Sequence, residues 1–155
     1  MRIGLISDTH GRLRNEVFTH FHGVDHILHA GDIEDADILT SLAAIAPTDA
    51  VYGNTDGFLL RQQVPERIER ELAGRRIVLI HGHQFGSPHP HNLVPAFPEA
   101  DIVVFGHTHR PLCERNGRTL CINPGAAGPP RFGLRPSVAL LELAPTQEIV
   151  THIEL

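Results

Sequence analysis

Seven side chains in this sequence are of types that hold divalent cations: Asp8, His10, Asp32, Asn54, His81, His107 and His109. They offer oxygen and nitrogen donors and no thiolate. That set suits manganese, iron, cobalt, nickel or zinc, and does not suit the all-oxygen cage that calcium prefers. Seven donors exceed what one tetrahedral ion needs and suffice for two ions if a carboxylate bridges them. Two ions about 3.5–4 Å apart clamp the entering and departing oxygens of an in-line displacement and acidify a water. Phosphate ester hydrolysis is the reaction such a centre serves best. Asp8 and His10, like His107 and His109, are spaced i, i+2, which on an extended strand end would put both side chains on one side.

The elements that must position these residues can be read from hydrophobic runs. Residues 2–7, 25–30, 50–52, 68–72, 76–80 and 101–105 read as strands, and five of these six end in a loop that sets Asp, His or Asn beside glycine. Residues 12–22 are weakly helical, and 34–46 carry Ile38, Leu42 and Ile45 on one helical face. The Pro- and His-rich stretch 87–98 reads as loop with one helical turn. Strands are expected again at about 111–115, 118–122, 137–143 and 148–154. Alternating strands and helices argue for an α/β fold with a partly parallel sheet. In such sheets the site lies beyond the carboxyl ends of the strands.

The bulk numbers are compatible with this reading. The 155 residues are enough for one domain spanning 1–155, with no repeat or second unit expected. No apolar run approaches a membrane span and no signal peptide is read at the start, so a cytoplasmic location is expected. A net charge of −5, with thirteen basic residues that are all arginine, argues against a protein that coats nucleic acid. A nucleotide-sized substrate stays open, because bound cations would bring their own positive charge. Two cysteines, Cys113 and Cys121, flank Asn116-Gly117. A two-residue turn there would set Cys113 opposite Leu120 and Cys121 opposite Leu112, so no disulfide is expected.

Five segments in order, Asp8-Thr9-His10, Gly31-Asp32, Gly53-Asn54-Thr55-Asp56, His81-Gly82-His83 and Gly106-His107-Thr108-His109, resemble the motifs of the calcineurin-like metallophosphoesterases. Asn123-Pro124-Gly125 fits their smallest members, the YfcE-type phosphodiesterases. The resemblance implies a four-layer α-β-β-α sandwich of two mixed sheets, with metals at the carboxyl ends of the strands. It implies one cation held by Asp8, His10, Asp32 and His109, and a second held by Asp32, Asn54, His81 and His107, with Asp32 bridging. Two divalent transition metals are implied, manganese first and nickel, cobalt, iron or zinc as alternatives, with a bridging hydroxide as nucleophile on a small phosphodiester.

One departure bears on catalysis. Larger relatives place a histidine after the motif asparagine to assist the leaving group, and here that position is Thr55. Asn54, Asp56 and His83 are therefore the catalytic candidates, His83 as a substitute proton donor, and a preference for good leaving groups is expected. Arg12 and Arg110, just past the first and last metal loops, are candidates for substrate phosphate oxygens. His20, His22, His26, His29, His89, His91 and His152 are assigned to surface or packing. Three alternatives stay open: a phosphomonoesterase, a nuclease, or a non-catalytic protein-binding scaffold of the same fold. No long nucleic acid or membrane partner is expected, and a homo-oligomer is open.

Overall fold

The computed structural model describes residues 1–131 and 133–155. Ten strands form two five-stranded mixed sheets. In the first sheet, β1 (Arg2–Ile6) lies parallel to β2 (His26–His29), and β2 parallel to β3 (Thr48–Ala50). The antiparallel pair β9 (Ser137–Leu143) and β10 (Glu148–Glu154) completes its other edge. In the second sheet, β5 (Arg75–Ile80), β6 (Ile102–Val104) and β8 (Thr119–Asn123) are parallel. There β4 (Arg67–Leu72) and β7 (Leu112–Asn116) form the antiparallel edges.

Three apolar clusters define four layers. Ile3, Leu5, Leu28, Leu79, Val104, Ile122 and Leu141 belong to both sheets and pack in one cluster between them. The opposite face of the first sheet contributes Ile6, Ile27 and Leu140 to a second cluster, with Val17 and Phe21, Ile38 and Leu42, and Leu60. These come from α1 (Asn15–His20) and its C-terminal cap, α2 (Ala36–Ala43) and α3 (Phe58–Gln63). The outer face of the second sheet packs Val78, Ile80 and Val103 on Leu93 and Phe97, carried by α4 (Pro90–Ala96) and its C-terminal cap. Strands buried on both faces must be apolar throughout, which is why β1, β5 and β6 read as continuous hydrophobic runs and not as alternation. The four-layer α-β-β-α sandwich is the fold of this chain. No helix among the described residues is long and apolar enough to cross a membrane.

Several boundaries differ from the sequence reading. Helix α2 is shorter than 34–46 because Asp35 stops it at the N-terminus, its side chain accepting from the Asp37 amide at 2.9 Å. Helix α3 was not expected. The Pro-rich stretch holds a 3₁₀ turn (His83–Phe85) and the whole of α4, which starts with Pro90 in the first turn where its missing N–H costs nothing. The third strand is Thr48–Ala50, not 50–52, although Val51 N–H still donates to His29 O at 3.1 Å. The hairpin near Gly117 also slips. Asn116 pairs with Thr119, so Gly117 takes the first central turn position at φ 60°, and Cys113 faces Ile122 while Glu114 faces Cys121. Both cysteines are free, as expected.

Candidate metal centre

Every proposed ligand lies just past the carboxyl end of a parallel strand. Asp8 and His10 follow β1, Asp32 follows β2, Asn54 follows β3, His81 directly follows β5, and His107 and His109 follow β6. The first four come from one sheet and the last three from the other, so the cluster sits where the two sheet edges meet.

Three of the loops share an unusual backbone. Asp8 (φ 53°), His10 (46°), Asp32 (53°), Glu34 (66°), His107 (68°) and His109 (59°) are left-handed, and among the described non-glycine residues only Ala73 joins them. A left-handed non-glycine residue costs on the order of 1–3 kcal/mol and persists where the surroundings over-determine it. This corrects the expectation of an extended strand end. The i, i+2 partners are brought together by a repeated left-handed, other, left-handed turn, and Asp32-x-Glu34 obeys the same rule.

The two carboxylates are held in the same way. Asp8 Oδ2 accepts the Ser7 hydroxyl and the His107 amide (3.2 Å), while buried Asp8 Oδ1 accepts no hydrogen bond and faces His109 Nε2 at 3.2 Å. Asp32 Oδ1 accepts the Thr55 amide (2.9 Å), while Oδ2 faces His81 Nε2 at 3.4 Å and His10 Nε2 at 3.9 Å. One oxygen of each carboxylate is anchored and the other is presented to imidazoles. Glycine makes the anchoring possible. A Cβ on Gly53 would fall 2.1 Å from Asp32 Oδ1, and one on Gly106 would fall 1.9 Å from Ser7 Oγ.

Partner chemistry fixes the histidine tautomers. His81 Nδ1 lies 2.8 Å from Ala30 O, and a carbonyl can only accept, so Nδ1 carries the proton. His81 Nε2 faces two acceptors, Asn54 Oδ1 (3.1 Å) and Asp32 Oδ2, so it either carries a second proton toward them or turns a lone pair to a cation. His10 Nδ1 donates to Glu34 Oε1 at 2.7 Å, leaving His10 Nε2 directed at His109 Nε2, 3.3 Å away. Acceptors facing acceptors in a buried site require a proton or a cation between them. Burial opposes charge on His81, yet the Asp32 carboxylate raises its pKa above the ordinary value. Burial likewise works against ionised Asp32, and the His81 hydrogen bond overrides it, holding Asp32 below the usual carboxylate range. The donor set, the unfilled carboxylate oxygen and these lone pairs all fit divalent cations.

The geometry gathers two groups of three: Asp8 with His10 and His109, and Asp8 with Asp32 and His81. Asp8 is thus common to both, whereas Asp32, the expected bridge, falls in one of them, its Oδ2 3.9 Å from His10 Nε2 of the other. Asn54 is exposed but reaches His81. His107 stands apart from these triplets: its Nε2 donates to Gly86 O at 3.1 Å, while its ring centroid lies 5.2 Å from that of His81. The ring of His83 stacks 5.4 Å from His81, and burial and the charge on His81 lower its pKa. Asp56, one of the catalytic candidates, is placed to pin the loop. Its carboxylate accepts the amides of Ile33 (2.8 Å), Glu34 (2.7 Å) and Gly53 (2.7 Å). Arg12 and Arg110 are exposed beside the His10 and His109 loops.

Four further residues support the site, and of these only Asn123 stands in a segment singled out from the sequence. Ser7 and Glu34 orient Asp8 and His10. Arg61 clamps the third loop, donating to Asp56 O (2.7 Å) and Asn54 O (3.0 Å) while covering the Tyr52 ring. Asn123 donates to Gly106 O (2.8 Å) and Thr108 Oγ1 (3.1 Å), fixing the last loop. The spacing of Asp32-x-Glu34 was a usable signal for Glu34, and the Asn123-Pro124-Gly125 segment was one for Asn123; Ser7 and Arg61 show none.

Residues 1–146 match the calcineurin-like phosphoesterase superfamily domain. The chain belongs to that superfamily. Among its relatives in the superfamily, a probable metallophosphoesterase of Methanothermobacter thermautotrophicus is 35% identical over 150 residues, covering 92% of this chain and 86% of the relative. Phosphodiesterase YfcE of Escherichia coli is 41% identical over 71 residues, 46% of this chain and 36% of YfcE. The solved structure of an archaeal phosphodiesterase superposes with a TM-score of 0.80 at 26% identity, over 99% of this chain and all of that one. The superfamily assignment matches the resemblance read from the five loops.

His29 supports the site from below. Its Nδ1 accepts the Gly31 amide (3.2 Å), so its Nε2–H donates to Thr9 Oγ1 (3.0 Å), tying the first two loops together. Burial drives its pKa down to about 4, with nearby carboxylates opposing. The folded chain therefore binds fewer protons at this site than the unfolded chain between about pH 4 and 6.5. His29 stabilises the fold fully above pH 6.5, and that contribution fades as pH falls, by about 3 kcal/mol across the window. Urea melts of chelator-treated protein at pH 7.5 and 5 check this. His29→Gln should flatten the pH dependence, and an unchanged slope would refute the assignment.

Proposed function

We propose that the chain is a two-metal phosphodiesterase acting on small diesters. Hydrolysis of phosphoester bonds is the chemistry of this enzyme class, and the two-metal arrangement and diester preference are the finer reading. In this reading Asp8, His10, Asp32 and His109 hold one cation, and Asp32, Asn54, His81 and His107 hold the other. The observation that carries it is the pair of buried carboxylates, each anchored through one oxygen and presenting the other to imidazole nitrogens. A scaffold has no use for such a buried assembly of mutually repelling acceptors.

Bound cations would supply Lewis-acid neutralisation of phosphoryl charge and an acidified water. The chain's own residues do the rest. Glu34 and the Ala30 carbonyl fix the imidazoles of His10 and His81, Asp56 and Arg61 hold Asn54 in place, and His83 stands at the rim with its pKa lowered. An imidazole with a lowered pKa carries its acidic proton in fewer molecules at neutral pH, and the Thr55 hydroxyl is no general acid there. Departing alcohols would thus leave with little proton assistance.

The test is a panel of aryl and alkyl diesters, monoesters and cyclic nucleotides, run separately with manganese, nickel, cobalt, zinc and magnesium. We expect about two cations bound per chain, loss of activity on strong chelation, and rates on diesters that fall steeply as leaving-group pKa rises. Absence of metal-dependent hydrolysis across the panel would refute the reading, and a flat leaving-group dependence would refute the missing-acid argument.

A further inference from the structure

A cavity of about 630 Å³ opens beside the cluster, between the Gly86–His89 segment and the loop that leads from β6 into β7. His107 belongs to both regions, since its ring approaches His81 and its Nε2 donates to Gly86 O. The volume lies within the 300–1,000 Å³ range of small-molecule sites. Pro88, Pro111 and Leu112 give it apolar walls, and Ser87 and Thr108 give it hydroxyl groups.

Its charge is distinctive. Arg110, His89 and His107 line the cavity and no carboxylate does, in a chain whose net charge is −5. Seven of the chain's arginines are ion-paired to carboxylates. Arg110 has no such partner among the described residues; only its backbone N–H is engaged, with Thr108 Oγ1 at 3.4 Å. The His89 ring is steadied by His91, their Nδ1 atoms 3.0 Å apart, so one of the two bears the shared proton. A guanidinium without a carboxylate, beside an imidazole, suits a phosphate-like group.

We propose that this cavity takes one ester arm of the diester, and that Arg110, with His89, binds a second anionic group carried on that arm. The proposal rests on the hydrolytic reading of the neighbouring centre. It assigns Arg110 to a remote phosphate and not to the scissile one, and it makes doubly charged diesters, such as those of a nucleoside bisphosphate, the preferred class.

The test compares two chromogenic diesters, the p-nitrophenyl ester of thymidine 5′-phosphate and the same compound with a 3′-phosphate. The 3′-phosphate should raise kcat/KM by about tenfold or more, the scale of one charge-assisted hydrogen bond. Arg110→Gln should bring the ratio near one, Arg110→Lys should restore part of it, and Arg135→Gln, a remote paired arginine, should leave it unchanged. A second readout avoids turnover. In ¹H–¹⁵N spectra of chelator-treated protein, thymidine 3′,5′-bisphosphate should shift the Gly86 and Thr108 amides more than thymidine 5′-phosphate does, and Arg110→Gln should abolish the difference. Equal hydrolysis of both diesters without these shifts would overturn the cavity assignment and leave the hydrolytic reading standing. Shifts without hydrolysis under any cation would do the reverse.

Discussion

Asp32→Asn should leave the protein folded and strip it of activity. The substitution preserves the oxygen that accepts the Thr55 amide. It also replaces the carboxylate oxygen 3.4 Å from His81 Nε2 by an amide group, which can still meet that nitrogen as donor or as acceptor. The fold should therefore survive, and melting should change little. Cation binding should suffer at both positions, because the lost charge lies between His81 and His10. We expect kcat/KM to fall by about 100-fold or more, beyond the 10–100-fold that follows loss of an outer partner. Metal content by mass spectrometry and diester hydrolysis check this together. Full activity in the folded variant would remove Asp32 from the centre.

Asp56→Ala should have the opposite signature, a large loss of stability that brings activity down with it. Three backbone amides depend on that carboxylate. Orphaned buried donors cost about 1–3 kcal/mol each, so a loss of about 3 kcal/mol or more is expected in urea titrations. Asp56→Asn keeps one acceptor oxygen and should lose less. If Asp56→Ala melts like wild type but turns over poorly, Asp56 acts on substrate and the pinning role is wrong.

The comparison of sequence with structure separates two kinds of information. The candidate ligands were legible because a cation site demands particular side chains, and a parallel sheet delivers them to one edge whatever the details of the loops. Strand runs such as 2–7 and 76–80 were legible because burial on both faces forces continuous apolarity. The supporting residues were not. Arg61 acts through backbone carbonyls, which have no residue code. Ser7 looked like the last position of a strand. The left-handed turns were hidden because Asp and His, though enriched among non-glycine residues at positive φ, adopt it far less often than other conformations, and the spacing they produce mimics that of an extended chain. The slip of the Gly117 hairpin has the same origin: two neighbouring residues could both open the turn, and only the backbone geometry shows which one does.

The division of the ligands between sheets has a mechanical consequence. Asp8, His10, Asp32 and Asn54 belong to one sheet, and His81, His107 and His109 to the other. Apart from the apolar layer between them, the two halves of the sandwich are stitched at this rim by groups that repel one another when nothing lies between them. A cation there would act as a rivet across the seam. Its stabilisation should grow with the logarithm of free cation concentration, and when it leaves, the rim should part before the buried strands do.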